Sequence, residues 1–263
     1  MKRYDTVEIE QRGQVATIRI RPVRPPLHWD LGEIFSDLRG DDTVRVIVLT
    51  GLEDGVFSVG PRTEKYDSED AKARRNDPHA TWRIFTGVLR CHEAMAAIEK
   101  PIVARVNGDA VSFGASLMFG SDFIVARDDA RIVDYHLAMG EAEPFGPRYG
   151  IVPGDGGLGL VPLYMAPPLA KEFLMLGREF TGAELAARGM INAAVPAAEL
   201  DAHVDDLVER LLARSAYALA WTKRVANKRL VEHLNMTLDA AAAYEMVNFH
   251  QIERQGWVDR FEL

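Results

Sequence analysis

The 263-residue chain holds a single cysteine, Cys91. One cysteine excludes a disulfide within the chain and makes a Cys/His metal cluster untenable. No run of about 18 apolar residues occurs, so no segment reads as a membrane span. The opening residues, MKRYDTVEIEQRG, lack the apolar stretch of a secretory signal. Positive charge is also short: the formal net charge is -8, and Lys and Arg are scattered along the chain. That distribution argues against nucleic acid or an anionic membrane as partner. There is no tandem repeat of about 20–50 residues. The expectation is a globular, cytoplasmic protein with no metal, no nucleic acid and no membrane attachment.

What is present is enough apolar material for a large core, 48% of the residues. Residues 7–10 and 15–20 are strand-like around a glycine turn and read as a hairpin. Residues 29–38 have helical spacing. VRVIVLT (44–50) and IVARV (102–106) are nearly continuous apolar runs, as in strands buried on both faces. Residues 123–126 and 191–195 repeat that signal more briefly. Helical patterns cover 81–98, 115–120, 170–176, 182–188, 200–214 and most of 216–246, with a break expected near Asn235. A charged stretch, 64–78, reads as a loop or a short exposed helix. Strands alternating with helices define an α/β fold. Residues 1–196 form its core, and 197–263 form a helical C-terminal region.

Three glycine-rich segments carry the chemistry. VFSVGPR (56–62) and VNGDAVSFGAS (106–116) each follow a buried strand; GIVPGDGG (150–157) stands alone. A strand-to-helix junction leaves backbone N–H groups free at the helix start, where they can hold an oxyanion. GIVPGDGG is half glycine and carries one carboxylate, Asp155. Gly-Asp-Gly is ordinary turn chemistry, and it is also a rigid mount for an acid.

In order and spacing, IVLTG, FSVG, KPIVARVNGDAVSFGASL, SDFIVA, GIVPGDGG and LMLGREFTGAELAARGMINAAVP resemble the crotonase superfamily, the enoyl-CoA hydratase/isomerase family. The resemblance spans roughly residues 5–250. It implies stacked ββα units and a helical C-terminal region that builds homotrimers or hexamers. It implies a substrate carrying coenzyme A as a thioester, with no separately bound cofactor, and an enolate stabilised by two backbone amides. One amide belongs to the FSVG loop, around Val59, where Pro61 takes the donor position and has no N–H. Arg62 is then the group able to rebuild that half. The second donor position falls on Phe113, beside Gly114.

The sequence departs from two-glutamate hydratases. One glutamate position holds Ser116, read as helix packing. The other falls near Asp134 or His136. Asp134-Tyr135-His136, Asp155 and Glu245 instead resemble the 6-oxocamphor hydrolase branch, which cleaves a cyclic β-diketone without CoA. There a His–Asp pair activates water and a glutamate on the C-terminal helix assists. The histidine that this branch carries at the Phe113 position is absent here. Residues 141–149 read as an insertion, with Glu141, Glu143 and Arg148 solvated. His28 and Trp29 read as capping or packing residues. Lys223, Arg224, Lys228 and Arg229 read as a solvated helix face. The candidate site is therefore Asp155, His136 and Glu245 for catalysis, and Phe113, Gly114, Arg62 and Val59 for the substrate oxygen. Three functions stay open: a hydratase/isomerase on an acyl-CoA, a CoA-independent C–C hydrolase, and an inactive family member.

Overall fold

The computed structural model describes residues 3–22, 27–60, 68–137 and 150–255, with side chains through 251. Pro61, Arg62 and the suspected insertion at 141–149 lie outside the described residues.

The described strands form two sheets. The larger has the order β1 (Val7–Arg12), β2 (Val15–Ile20), β3 (Val46–Gly51), β5 (Ile102–Val106), β7 (Phe123–Arg127), β10 (Ala193–Val195). Within this sheet β1 and β2 pair antiparallel, through a turn with Gly13 at φ 57°, and the other described neighbours pair parallel. The smaller sheet is β4 (Gly55–Ser58), β6 (Gly108–Val111), β8 (Arg131–Val133), β9 (Phe180–Thr181). Each turn of the chain sends one strand to each sheet, β3 then β4, β5 then β6, β7 then β8. The ββα units expected from the family are these pairs with their following helices.

The corners between paired strands are tight. A Cβ on Gly51 would lie 1.8 Å from the Val56 carbonyl oxygen, and one on Gly108 1.8 Å from the Gly55 carbonyl carbon. Asn107, buried between β5 and β6, braces the corner of the preceding unit. Its Oδ1 accepts from Thr50 Oγ1 (3.0 Å) and Gly51 N (2.8 Å), and its Nδ2 donates to Glu53 O (2.7 Å) and Val56 O (3.1 Å). One side chain thus pairs groups that the bend would otherwise strand.

The helices are α1 (Leu27–Gly40), α2 (Glu69–Asn76), α3 (Pro78–Ala97), α4 (Phe113–Phe119), α5 (Gly157–Tyr164), α6 (Pro167–Leu176), α7 (Gly182–Ala187), α8 (Leu200–Leu212), α9 (Ala216–Ala226) and α10 (Lys228–Gln255). Alternation along β3 decides which helix covers which face. Ile47 and Leu49 join the main core with Leu31, Phe35 and Met95 from α1 and α3. Val46 and Val48 face the other way, onto Val204 and Val208 of α8. Among the described residues no helix is long and apolar enough to cross a membrane.

Two expectations are corrected. The helical C-terminus breaks at Asn227, and Asn235 lies inside the continuous α10. The chain turns where Asn227 Nδ2 donates to Ala96 O at the end of α3 (3.1 Å), an anchor that the local pattern does not encode. Lys223 is not solvated: it is buried, with Nζ 2.6 Å from Asp122 Oδ2 and 2.9 Å from the Lys100 carbonyl. Of the charged stretch at 64–78, Glu69–Asn76 forms an exposed helix capped by Ser68.

Candidate active site

The site lies where β6, β8, the GDGG loop, α3, α4 and α10 converge. The sharp bend into α4 falls on Ser112, a non-glycine residue at φ 51°, ψ -110°. Its amide donates to Val133 O (2.8 Å), and its Oγ accepts from Tyr135 N (3.1 Å). With that oxygen engaged on β8's exit, Ser112 does not cap α4. The first intrahelical bond is Ser116 N to Ser112 O, so the Phe113 and Gly114 amides precede the ladder. A Cβ on Gly114 would sit 2.0 Å from Ser58 O, so only glycine lets α4 start this close to β4.

Asp134 follows β8 directly. Its Oδ1 accepts from the His136 backbone N and lies against His136 Nδ1, both at 2.9 Å. The other nitrogen, Nε2, is 3.2 Å from Asp155 Oδ2. The imidazole therefore spans two carboxylates, and all three residues are buried. These groups lie within 4.8 Å of one another, a spacing that also suits a cation, but both imidazole nitrogens already face carboxylates. Ser116 Oγ donates to Asp155 Oδ1 (3.2 Å). Across the undescribed segment the chain returns to His136, because Ile151 N donates to His136 O (2.7 Å).

Charge is distributed unevenly here. Burial opposes the His136 imidazolium, but the charges of Asp155 and then Asp134 outweigh it and hold its pKa well above the ordinary range. Burial likewise opposes Asp155, and His136 overrides it, so the Asp155 pKa is lowered. Glu245 arrives from α10 against the loop: a Cβ on Gly154 would be 2.6 Å from its Oε2. Burial first, and then the Asp155 and Asp134 charges, push the Glu245 carboxyl up to about 8. It is mostly neutral at pH 7 beside an ionised array. Two acid–base populations at one site are the pattern of a proton donor next to a proton acceptor.

Two further histidines stand around Phe113. The His28 ring centroid is 4.0 Å from that of Phe113, and the His92 ring meets Phe113 edge-on at 5.9 Å. His92 Nε2 lies 2.8 Å from the Asp155 carbonyl oxygen. Burial lowers the pKa of both, that of His28 to about 4.

The structure thus gathers Asp155, His136, Glu245 and Phe113, with Gly114 at the same helix start. Val59 packs its side chain on Val111, Val133 and Tyr135. Ser116 does more than pack, since it donates to Asp155. His28 contacts Phe113 and lies close enough to Asp155 for their charges to interact. His92 was missed. The available signal was its place on the buried stripe of α3 with Phe85, Val88 and Met95.

The comparisons agree with this architecture. Residues 19–261 match the family described as enoyl-CoA hydratase/isomerase. A carnitinyl-CoA dehydratase of Escherichia coli is 32% identical over 229 residues, covering 84% of this chain and 80% of that protein. An enoyl-CoA hydratase/isomerase from Mycobacterium paratuberculosis superposes with a TM-score of 0.79 at 27% identity, covering 94% of this chain and 95% of the other. A β-diketone hydrolase from the cyanobacterium Anabaena shares the fold at a TM-score of 0.82, with 18% identity over 95% and 96% of the two chains. The chain belongs to the enoyl-CoA hydratase/isomerase family, within the crotonase superfamily, and is an enzyme of the hydratase/isomerase type.

Proposed function

We propose that the enzyme adds water across the α,β double bond of an enoyl-CoA thioester, an acyl-CoA substrate, through an enolate. The Phe113 and Gly114 amides hold the carbonyl oxygen where negative charge develops. Water sits against the Asp155 carboxylate, which takes its proton while His136 stays an imidazolium, as the water oxygen bonds to the β-carbon and the C=C π electrons move onto the carbonyl oxygen. The neutral Glu245 carboxyl passes its proton to the enolate carbon. Asp155 then returns the proton to Glu245, so each turnover closes. The observation that carries this reading is the His136 imidazole bridging Asp134 and Asp155, with the buried Glu245 carboxyl against the loop that mounts Asp155. In this reading the FSVG loop that carries Val59 borders the oxygen site from the opposite side.

A second reading uses the same groups on a β-diketone without CoA. Water adds to one carbonyl, the C–C bond breaks toward the second, and Glu245 protonates the released carbanion. Two observations favour it: Ser116 stands where a two-glutamate hydratase carries a carboxylate, and the Phe113 ring stands between the His28 and His92 imidazoles at the start of α4. Calorimetric titration with free CoA and acetyl-CoA, run beside turnover of crotonyl-CoA and of a cyclic 1,3-diketone, separates the two. CoA binding with crotonyl-CoA hydration supports the first reading. Diketone cleavage with no CoA binding replaces it with the second.

We further propose a cytoplasmic homotrimer or hexamer, with residues 1–196 as core and 197–263 as the assembling region. Exposed Tyr217, Trp221 and Val225 on α9 and Met236, Tyr244 and Val247 on α10 support that assembly. Light scattering after size exclusion tests it; a monomer at micromolar concentration would contradict it.

A further inference from the structure

We infer that His92 is a positioning residue that fixes the Asp155 peptide, so that the Asp155 carboxylate stays on His136. The inference rests on the proposed water-activating role of that pair. His92 sits on α3, remote in sequence from every other member of the site. Its Nε2 is 2.8 Å from the Asp155 carbonyl oxygen. A carbonyl only accepts, so Nε2 carries the proton. Burial disfavours the imidazolium, which leaves Nδ1 bare, and Nδ1 has no partner among the described residues. Burying a bare nitrogen in a core is unfavourable. A leucine or methionine would fill the stripe without that cost. What histidine adds is one directed N–H.

The loop is built around that N–H. Gly156 follows Asp155 at φ 119°, and a Cβ there would lie 2.2 Å from His92 Nε2. The backbone therefore approaches the ring as closely as only glycine permits. Asp155 then has three tethers: His92 on its carbonyl, Ser116 on Oδ1 and His136 on Oδ2. Phe113 closes the other side of the His92 ring edge-on. Without the first tether, the peptide between Asp155 and a glycine is free to turn, and the carboxylate leaves His136 with it.

The test needs no substrate. In the full-length ¹⁵N-labelled protein, long-range histidine spectra report tautomers and titration. His92 is expected as the neutral Nε2–H tautomer; the Nδ1–H form would overturn the proposal before any variant is made. His136 is then followed through pH in His92→Gln, which keeps an N–H donor of similar reach, and His92→Leu, which does not. The groups acting on His136 are Asp134, Asp155, Glu245 and His28, and His92 reaches it through the Asp155 peptide. In His92→Leu the His136 midpoint is expected at least about one pH unit lower, while His92→Gln stays near wild type. On whichever of crotonyl-CoA or the cyclic diketone is turned over, kcat is expected to fall about 10- to 100-fold in His92→Leu, with KM within about threefold and rescue by glutamine. A folded His92→Leu protein with unchanged His136 titration, or equal loss in both variants, would leave only packing. No turnover of either substrate, with the spectra as expected, would count against the functional proposal alone.

Discussion

His136 Nε2 lies 3.2 Å from Asp155 Oδ2, while Nδ1 of the same ring lies 2.9 Å from Asp134. Two carboxylates on one buried imidazole hold it as a cation where burial alone would neutralise it. Asp134→Asn keeps an oxygen for the His136 amide but removes one charge. We expect the His136 pKa to fall toward the ordinary value of about 6.5. Turnover should drop about 10- to 100-fold, since the ring loses one of the two charges that hold it as a cation. An NMR titration of the His136 ring checks the first part; an unmoved midpoint would show that Asp134 is incidental.

Glu245 sets a pH window for stability. Its folded pKa, about 8, lies above the ordinary 4.5. Between those values the folded state binds a proton that the unfolded chain releases. Stability from this group is complete below about 4.5 and is lost as pH rises through about 8. Glu245→Gln should remove that slope, leaving a difference of a few kcal/mol across the window. Urea unfolding of both proteins at about pH 5, 7 and 9 measures it. His136 loses its own contribution in the same direction, as pH rises through its folded pKa. It does so in both proteins, so the difference reports Glu245. Parallel curves would mean that Glu245 is ionised in the folded enzyme.

Asn107→Ala tests the corner between the sheets. It removes one hydrogen-bond partner from each of the Thr50 hydroxyl, the Gly51 amide and the Glu53 and Val56 carbonyls. We expect destabilisation of about 2–4 kcal/mol by denaturant melts. A loss under about 0.5 kcal/mol would mean that the bend satisfies itself.

Much of this fold is legible because local pattern and burial coincide. VRVIVLT and IVARV are mostly apolar since helices cover both faces of the larger sheet. The smaller sheet was not legible: β4, β6 and β8 have four, four and three residues, too short for a period to show. Asp134, His136, Asp155 and Glu245 became candidates through spacing within motifs that recur in a family. His92 offered no motif, and its role depends on a loop 63 residues away. The same holds for Asn227, whose break is set by the end of α3. Contacts of that kind are decided by packing, which a one-dimensional pattern does not carry.

The account depends most on Asp155 acting from its mount in the GDGG loop. The direct measurement is kcat of the wild type and Asp155→Asn, on whichever of crotonyl-CoA and a cyclic 1,3-diketone the enzyme converts. We expect a loss of at least about 100-fold, with melting temperature changed by only a few degrees. Turnover by the asparagine variant at the wild-type rate would contradict the account.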